Sequence, residues 1–143
     1  MGVIEYNRSL LTNQADSFAV VLTGLDQIIL EFGLNVEEEV NFVELLSTIG
    51  WEVTNSSVAN PNQPTIAVTI QQDGVVVASV NQESVEDAED EDLEMVTTLQ
   101  AVLTDVPLGH HVYQLLARNT QTDQGIITIT GPANISAKVI TND

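Results

Sequence analysis

Cysteine is absent from the 143 residues, which excludes disulfides, thiolate metal sites and cysteine nucleophiles. Basic residues are almost absent. Arg8, Arg118 and Lys138 stand against twenty-one acidic residues, a formal net charge of −18. Binding to nucleic-acid phosphates is therefore disfavoured, as is docking on an anionic membrane. Aromatic residues make up 4% of the chain, so a core has to be built from Val, Ile, Leu and Ala. No apolar run reaches the roughly 18 residues of a spanning helix. Residues 1–16 lack the basic-then-apolar order of a secretory signal, so the expectation is cytoplasmic synthesis without a classical signal peptide.

What is present is apolar and β-branched. The chain is 43% hydrophobic, too much for a disordered protein despite its charge. Val and Ile fit a pleated surface, which turns the expectation towards strands. Apolar and polar residues alternate in one short run after another. Val43, Leu45, Ser47, Ile49, Trp51 and Val53 fall on one face of a long strand, with Glu44 and Glu52 on the other. Phe18, Val20 and Leu22, then Ile28 and Leu30, predict earlier strands ending near Gly33. Residues 36–46 carry a faint helical period.

Asp73-Gly74 between two apolar runs predicts a tight hairpin, because its turn needs the positive φ that Gly adopts freely. Leu93, Met95, Thr97, Leu99, Ala101 and Leu103 alternate again, and residues 112–117 follow the break at Asp105-Val106-Pro107-Leu108-Gly109. Gly131-Pro132 reads as a turn between residues 126–130 and 135–140. Eight or nine strands at this spacing predict an all-β fold, an antiparallel two-sheet sandwich of the jelly-roll kind. Residues 1–16 form an N-terminal extension or added strand, and residues 17–143 a single sandwich domain.

Four pieces of the chain resemble the exosporium protein C-like family of endospore-forming bacteria. They are Ile4-Glu5-Tyr6-Asn7; Thr48-Ile49-Gly50-Trp51-Glu52-Val53; the hairpin at Asp73-Gly74; and the block from Asp105-Val106-Pro107-Leu108-Gly109-His110-His111-Val112-Tyr113-Gln114-Leu115 to Gly131-Pro132. The resemblance implies a jelly roll like that of tumour necrosis factor and the complement globular heads. It further implies a trimer and a place in a spore-surface (exosporium) or other cell-surface layer. The run Glu37-Glu38-Glu39 and the acidic segment 83–94 depart from that family's pattern.

Candidate chemistry is sparse. Segment 83–94 is crowded with carboxylates, of which Glu86, Asp87, Glu89, Asp90 and Asp92 are weak candidates for divalent cations. No Gly supplies the sharp turn of a calcium loop, and a solvated loop is the plainer reading. His110 and His111 are adjacent, so on a strand they point to opposite faces and cannot chelate one ion within a chain. One imidazole could bind a metal across a trimer axis; the plainer expectation is one exposed ring and one packed at a strand start. No nucleophile elbow and no Gly-rich phosphate loop occurs. No catalytic residue, cofactor site or confident metal site is assigned, and the chain is expected not to be an enzyme.

Two readings of function remain. The first is a structural, self-assembling component of a surface layer or appendage: a homo-oligomer, expected as a trimer, with other surface-layer proteins as further partners. It rests on residues 75–80 and 112–117, which are apolar on both faces and so call for cover by a neighbouring subunit. The second is a display module recognising a receptor, a glycan or a cationic protein through its loops. Neither nucleic acid nor membrane is an expected partner.

Overall fold

The computed structural model describes residues 2–14, 19–54, 64–84 and 93–141. The described chain contains nine strands: β1 (Gly2–Thr12), β2 (Val20–Val21), β3 (Gln27–Val36), β4 (Asn41–Thr54), β5 (Thr65–Gln72), β6 (Val75–Glu83), β7 (Leu93–Thr104), β8 (Gly109–Asn119) and β9 (Ile126–Thr141). No helix among the described residues is long and apolar enough to cross a membrane.

The pairings β1·β9, β3·β8, β4·β7 and β5·β6 are nested antiparallel hairpins. The nest then rolls up, so that β9 also pairs with β4 and β8 with β5. Two sheets result, β1-β9-β4-β7 with the short β2 beside β9, and β3-β8-β5-β6. This is a jelly roll, with each sheet turning one apolar face to the other.

The period-two pattern explains which face is buried. Val43, Leu45, Ile49, Trp51 and Val53 of β4 meet Ala133, Ile135, Ala137 and Val139 of β9 and, from the opposite sheet, Leu34, Ile66, Ile70 and Leu115 in one core. Trp51 is 1% exposed and its Nε1–H donates to Thr97 Oγ1 at 2.8 Å. The Thr97 hydroxyl donates in turn to Gln82 Oε1, which links β7 of one sheet to β6 of the other. The opposite flank is tied by Asn7, whose Nδ2 donates to Gly33 O at 2.6 Å between β1 and β3. Phe32 and Tyr113 stack with ring centroids 5.5 Å apart.

The structure departs from the sequence reading at four places. Gly131-Pro132 does not separate two strands; it is a bulge inside β9, where the register against β4 jumps between Ile49 and Trp51. Gly50 sits opposite that bulge, and a Cβ there would collide with Gly131 O and come within 2.9 Å of Pro132 Cδ. Ile28 is exposed, because a register shift after it moves Leu30 into the core phase instead. Gly33 does not end its strand, which runs to Val36. Residues 36–46 carry no helix, being the end of β3, a turn and the start of β4.

Candidate functional site

Two regions concentrate the polar chemistry of the described residues. The first is the end of the sandwich where β3 meets β4, β5 meets β6 and β7 meets β8. Asp73 and Gly74 both take positive φ, at 51° and 85°, as a two-residue hairpin turn requires. That geometry aims the Asp73 carboxylate across at the start of β8. Its Oδ1 accepts the Val112 N–H at 2.8 Å and its Oδ2 lies 2.6 Å from His111 Nδ1. The other ring nitrogen, Nε2, lies 2.6 Å from the Pro107 carbonyl oxygen.

The Pro107 oxygen can only accept, so Nε2 carries a proton. Asp73 Oδ2 is an acceptor whenever it is ionised, so the ring is best satisfied as an imidazolium donating from both nitrogens. Burial opposes that charge and is the largest single influence, but the bonds to Asp73 and Pro107 outweigh it and hold His111 above its ordinary value of 6.5. The bond from His111, with the Val112 amide, holds Asp73 below its ordinary 3.8. Burial, and then the Asp73 charge, pushes the Tyr113 phenol up, and its Oη donates to Gln72 Oε1 at 2.8 Å.

The same end is fastened a second time by Asn41, which is 1% exposed. Its Nδ2 donates to Glu38 O at 2.6 Å and Val106 O at 3.0 Å, while its Oδ1 accepts the Val106 N–H at 3.0 Å. Three connections are thus fixed to one another, and the exposed Val40, Val75 and Leu108 stand out from them. Asn119 does the same work at the opposite end, donating to Gly125 O and accepting from the Gln121 amide. With both His111 nitrogens engaged by oxygens of the protein, this arrangement fastens loops; no ring nitrogen is left to take a proton from a substrate.

The second region is the outer face of the β1-β9-β4-β7 sheet. Register places its residues in rows: Val3, Ile140, Phe42 and Thr104; Tyr6, Lys138, Glu44 and Val102; Arg8, Ser136, Leu46 and Gln100; Leu10, Asn134, Thr48 and Thr98. Val3, Tyr6, Leu10, Leu46 and Val102 are all more than a third exposed. Glu44 is the acidic residue of these four rows, Glu52 and Glu94 stand in register further along the same face, and two of the chain's three basic residues, Arg8 and Lys138, lie in the rows. Local charge is near zero on a molecule of net charge −18.

The sequence-level candidates fare as follows. Glu86, Asp87, Glu89, Asp90 and Asp92 lie outside the described residues. Among the described residues no group of three or more His, Asp and Glu side chains is placed to hold a metal ion. His111 is buried at a strand start and His110 is exposed, its ring against Gly33. Of the outward apolar residues expected to need a neighbour's cover, Leu116 is only 7% exposed within the chain itself, flanked in register by Ile28 and Thr69. Val75 and Val76 remain open to solvent. The larger open apolar surface is the outer face of the other sheet, which depends on four strands being brought side by side.

No protein-family model and no curated protein matches this sequence. Among solved structures, the chain is similar to the Eiger TNF of S. frugiperda, with a TM-score of 0.56 and 11% identity over 98% of this chain and 96% of that one. The likeness is one of fold: a jelly roll of the tumour necrosis factor kind.

Proposed function

We propose that this chain is a non-enzymatic, self-associating jelly-roll module, a trimer, that serves as a building unit of a spore or other cell-surface layer. The observation that carries the self-association is the outer face of the β1-β9-β4-β7 sheet. Copies carrying −18 each repel one another, so they associate most readily through whatever face adds least to that repulsion. This face is near-neutral and displays Val3, Tyr6, Leu10, Leu46 and Val102 together, the kind of apolar patch that marks an interaction surface. The trimer is supported by the shared fold and by the resemblance that the sequence motifs carry. The surface layer rests on that resemblance alone.

Light-scattering mass at moderate ionic strength tests the assembly, with Leu46→Glu as the paired variant. A discrete oligomer that dissociates on placing a carboxylate at Leu46 supports the reading; a wild-type monomer at micromolar concentration overturns it. Immunolocalisation on intact cells and spores tests the surface layer.

The loop end of the sandwich favours a second reading as a display module. Val40, Val75 and Leu108 project from connections held by Asn41 and His111, and fixed loops lose little entropy on binding. The overall charge points to a cationic protein as the partner such loops would meet. A monomer that captures a basic protein through those loops would favour this reading.

A further inference from the structure

The near-neutral face contains two cations with no ion pair among the described residues, Arg8 and Lys138, and Arg8 lies at a depression. A cavity of about 210 Å³ opens beside Arg8 and is lined by Tyr6, Leu10, Asn13, Asn134 and Ser136. No carboxylate among the described residues lies within ion-pair distance of the Arg8 guanidinium, the ion pairs there being His111 with Asp73 and Arg118 with Asp26. Lys138 is diagonal to Arg8, because Arg8 is in register with Ser136 and Lys138 is two residues further along β9. Lys138 in turn is in register with Glu44 on β4. Arg8 and Glu44 therefore lie on opposite sides of β9 and two residues out of row, roughly 12 Å apart from two strand spacings and two residue rises.

Burying this face against another molecule strands Arg8 unless a carboxylate arrives with the partner, because an unpaired charge removed from water is strongly unfavourable. If the partner is the same face of a second copy, it brings Glu44 within the rows of Arg8 and the exposed apolar residues, and Glu52 and Glu94, in register with each other, beyond them. Resting on the self-association proposed above, we infer that Arg8 of one copy receives Glu44 of the next, so that the pair sets the register of a homotypic interface. Arg is suited to this role, since its planar fork binds a carboxylate through two parallel hydrogen bonds and fixes direction as well as contact. Each copy offers one Arg8 and one Glu44, so a closed ring or a two-fold pair can match every Arg8 with a Glu44.

Charge reversal tests the pair, read as the association constant from concentration-dependent light scattering, with circular dichroism confirming each fold. Arg8→Glu is expected to weaken association at least about tenfold. Glu44→Arg discriminates more sharply. It lowers the net negative charge and so relieves general repulsion, yet association is expected to fall about tenfold because two guanidinium groups then meet. Combining both changes restores the original net charge and is expected to recover most of the wild-type association. The inference is overturned, with self-association intact, if the single variants assemble as wild type does, if Glu44→Arg strengthens assembly, or if the double variant recovers nothing. A monomeric wild type overturns the self-association itself and the pair with it. Should a reversal fail to fold, Arg8→Gln and Glu44→Gln take its place, and unchanged association in both then overturns the pair.

Discussion

Asp73 and His111, 38 residues apart in sequence, meet at 2.6 Å across one end of the sandwich, and His111 holds the Pro107 carbonyl with its other nitrogen. A hairpin turn, a strand start and the short connection from β7 to β8 are thereby joined through a single imidazole. The charge of that ring decides how well the joint is made.

The first prediction concerns pH. His111 is raised above 6.5 on folding, so its contribution is fully present below that value and is lost as pH rises through the higher folded value. Asp73 is lowered below 3.8, so its contribution is present above that value and is lost as pH falls through the lower folded one. Both contributions are complete only between 3.8 and 6.5. Thermal melts of the wild type are expected to lose stability on going from about pH 6 to pH 8.5, and His111→Gln is expected to lose this step. Identical pH slopes for the two proteins would refute the assignment, since the carboxylates elsewhere titrate alike in both.

The second prediction concerns Gly50. Its neighbours at the β9 bulge are the backbone of Gly131 and the ring of Pro132, neither of which swings aside as a long side chain does. Gly50→Ala is expected to lose about 2–3 kcal/mol of stability, in the range for overpacked interiors. Urea unfolding gives the value, and a loss under about 0.5 kcal/mol, the size typical of an uncritical surface change, would show that the bulge yields freely.

Thr97 is the third test. It accepts from the buried Trp51 indole and donates to Gln82, the polar link from β7 to β6. Thr97→Val keeps the shape and removes the acceptor, leaving a buried N–H unsatisfied at a cost of about 1–3 kcal/mol. The single tryptophan makes this readable: its emission is expected to stay that of a buried indole while the unfolding midpoint falls. An unchanged midpoint would mean that the indole finds another acceptor.

Asn41 supplies the fourth, because its two ends do different things. The amide donates to two carbonyls and the oxygen accepts one amide. Asn41→Asp preserves size but turns the donor into an acceptor aimed at two carbonyl oxygens. It is expected to destabilise at least as much as Asn41→Ala, by about 2–4 kcal/mol for a buried site with several hydrogen bonds. Calorimetric melts at pH 7 decide it, and Asn41→Asp behaving as wild type would sink the prediction.

Much of the fold was determined by the sequence alone, because strand alternation is local. The phase of β4 from Val43 to Val53, the burial of Trp51 and the hairpin at Asp73-Gly74 each depend on residues a few positions apart. The same local reading went astray where a bulge resets the phase, at Ile28 and at Gly131-Pro132, since a register shift is a property of two strands and neither one shows it alone. The His110-His111 pair was legible as one exposed ring and one packed at a strand start, but which was which was decided by the fold, and the partner Asp73 read only as a turn residue. The near-neutral face was decided by tertiary structure alone. Arg8, Glu44, Val102 and Lys138 lie far apart in the chain, and only the nested pairing of β1, β9, β4 and β7 sets them in adjacent rows. Composition fixes how much charge a molecule carries; where a face escapes it depends on which distant strands lie side by side.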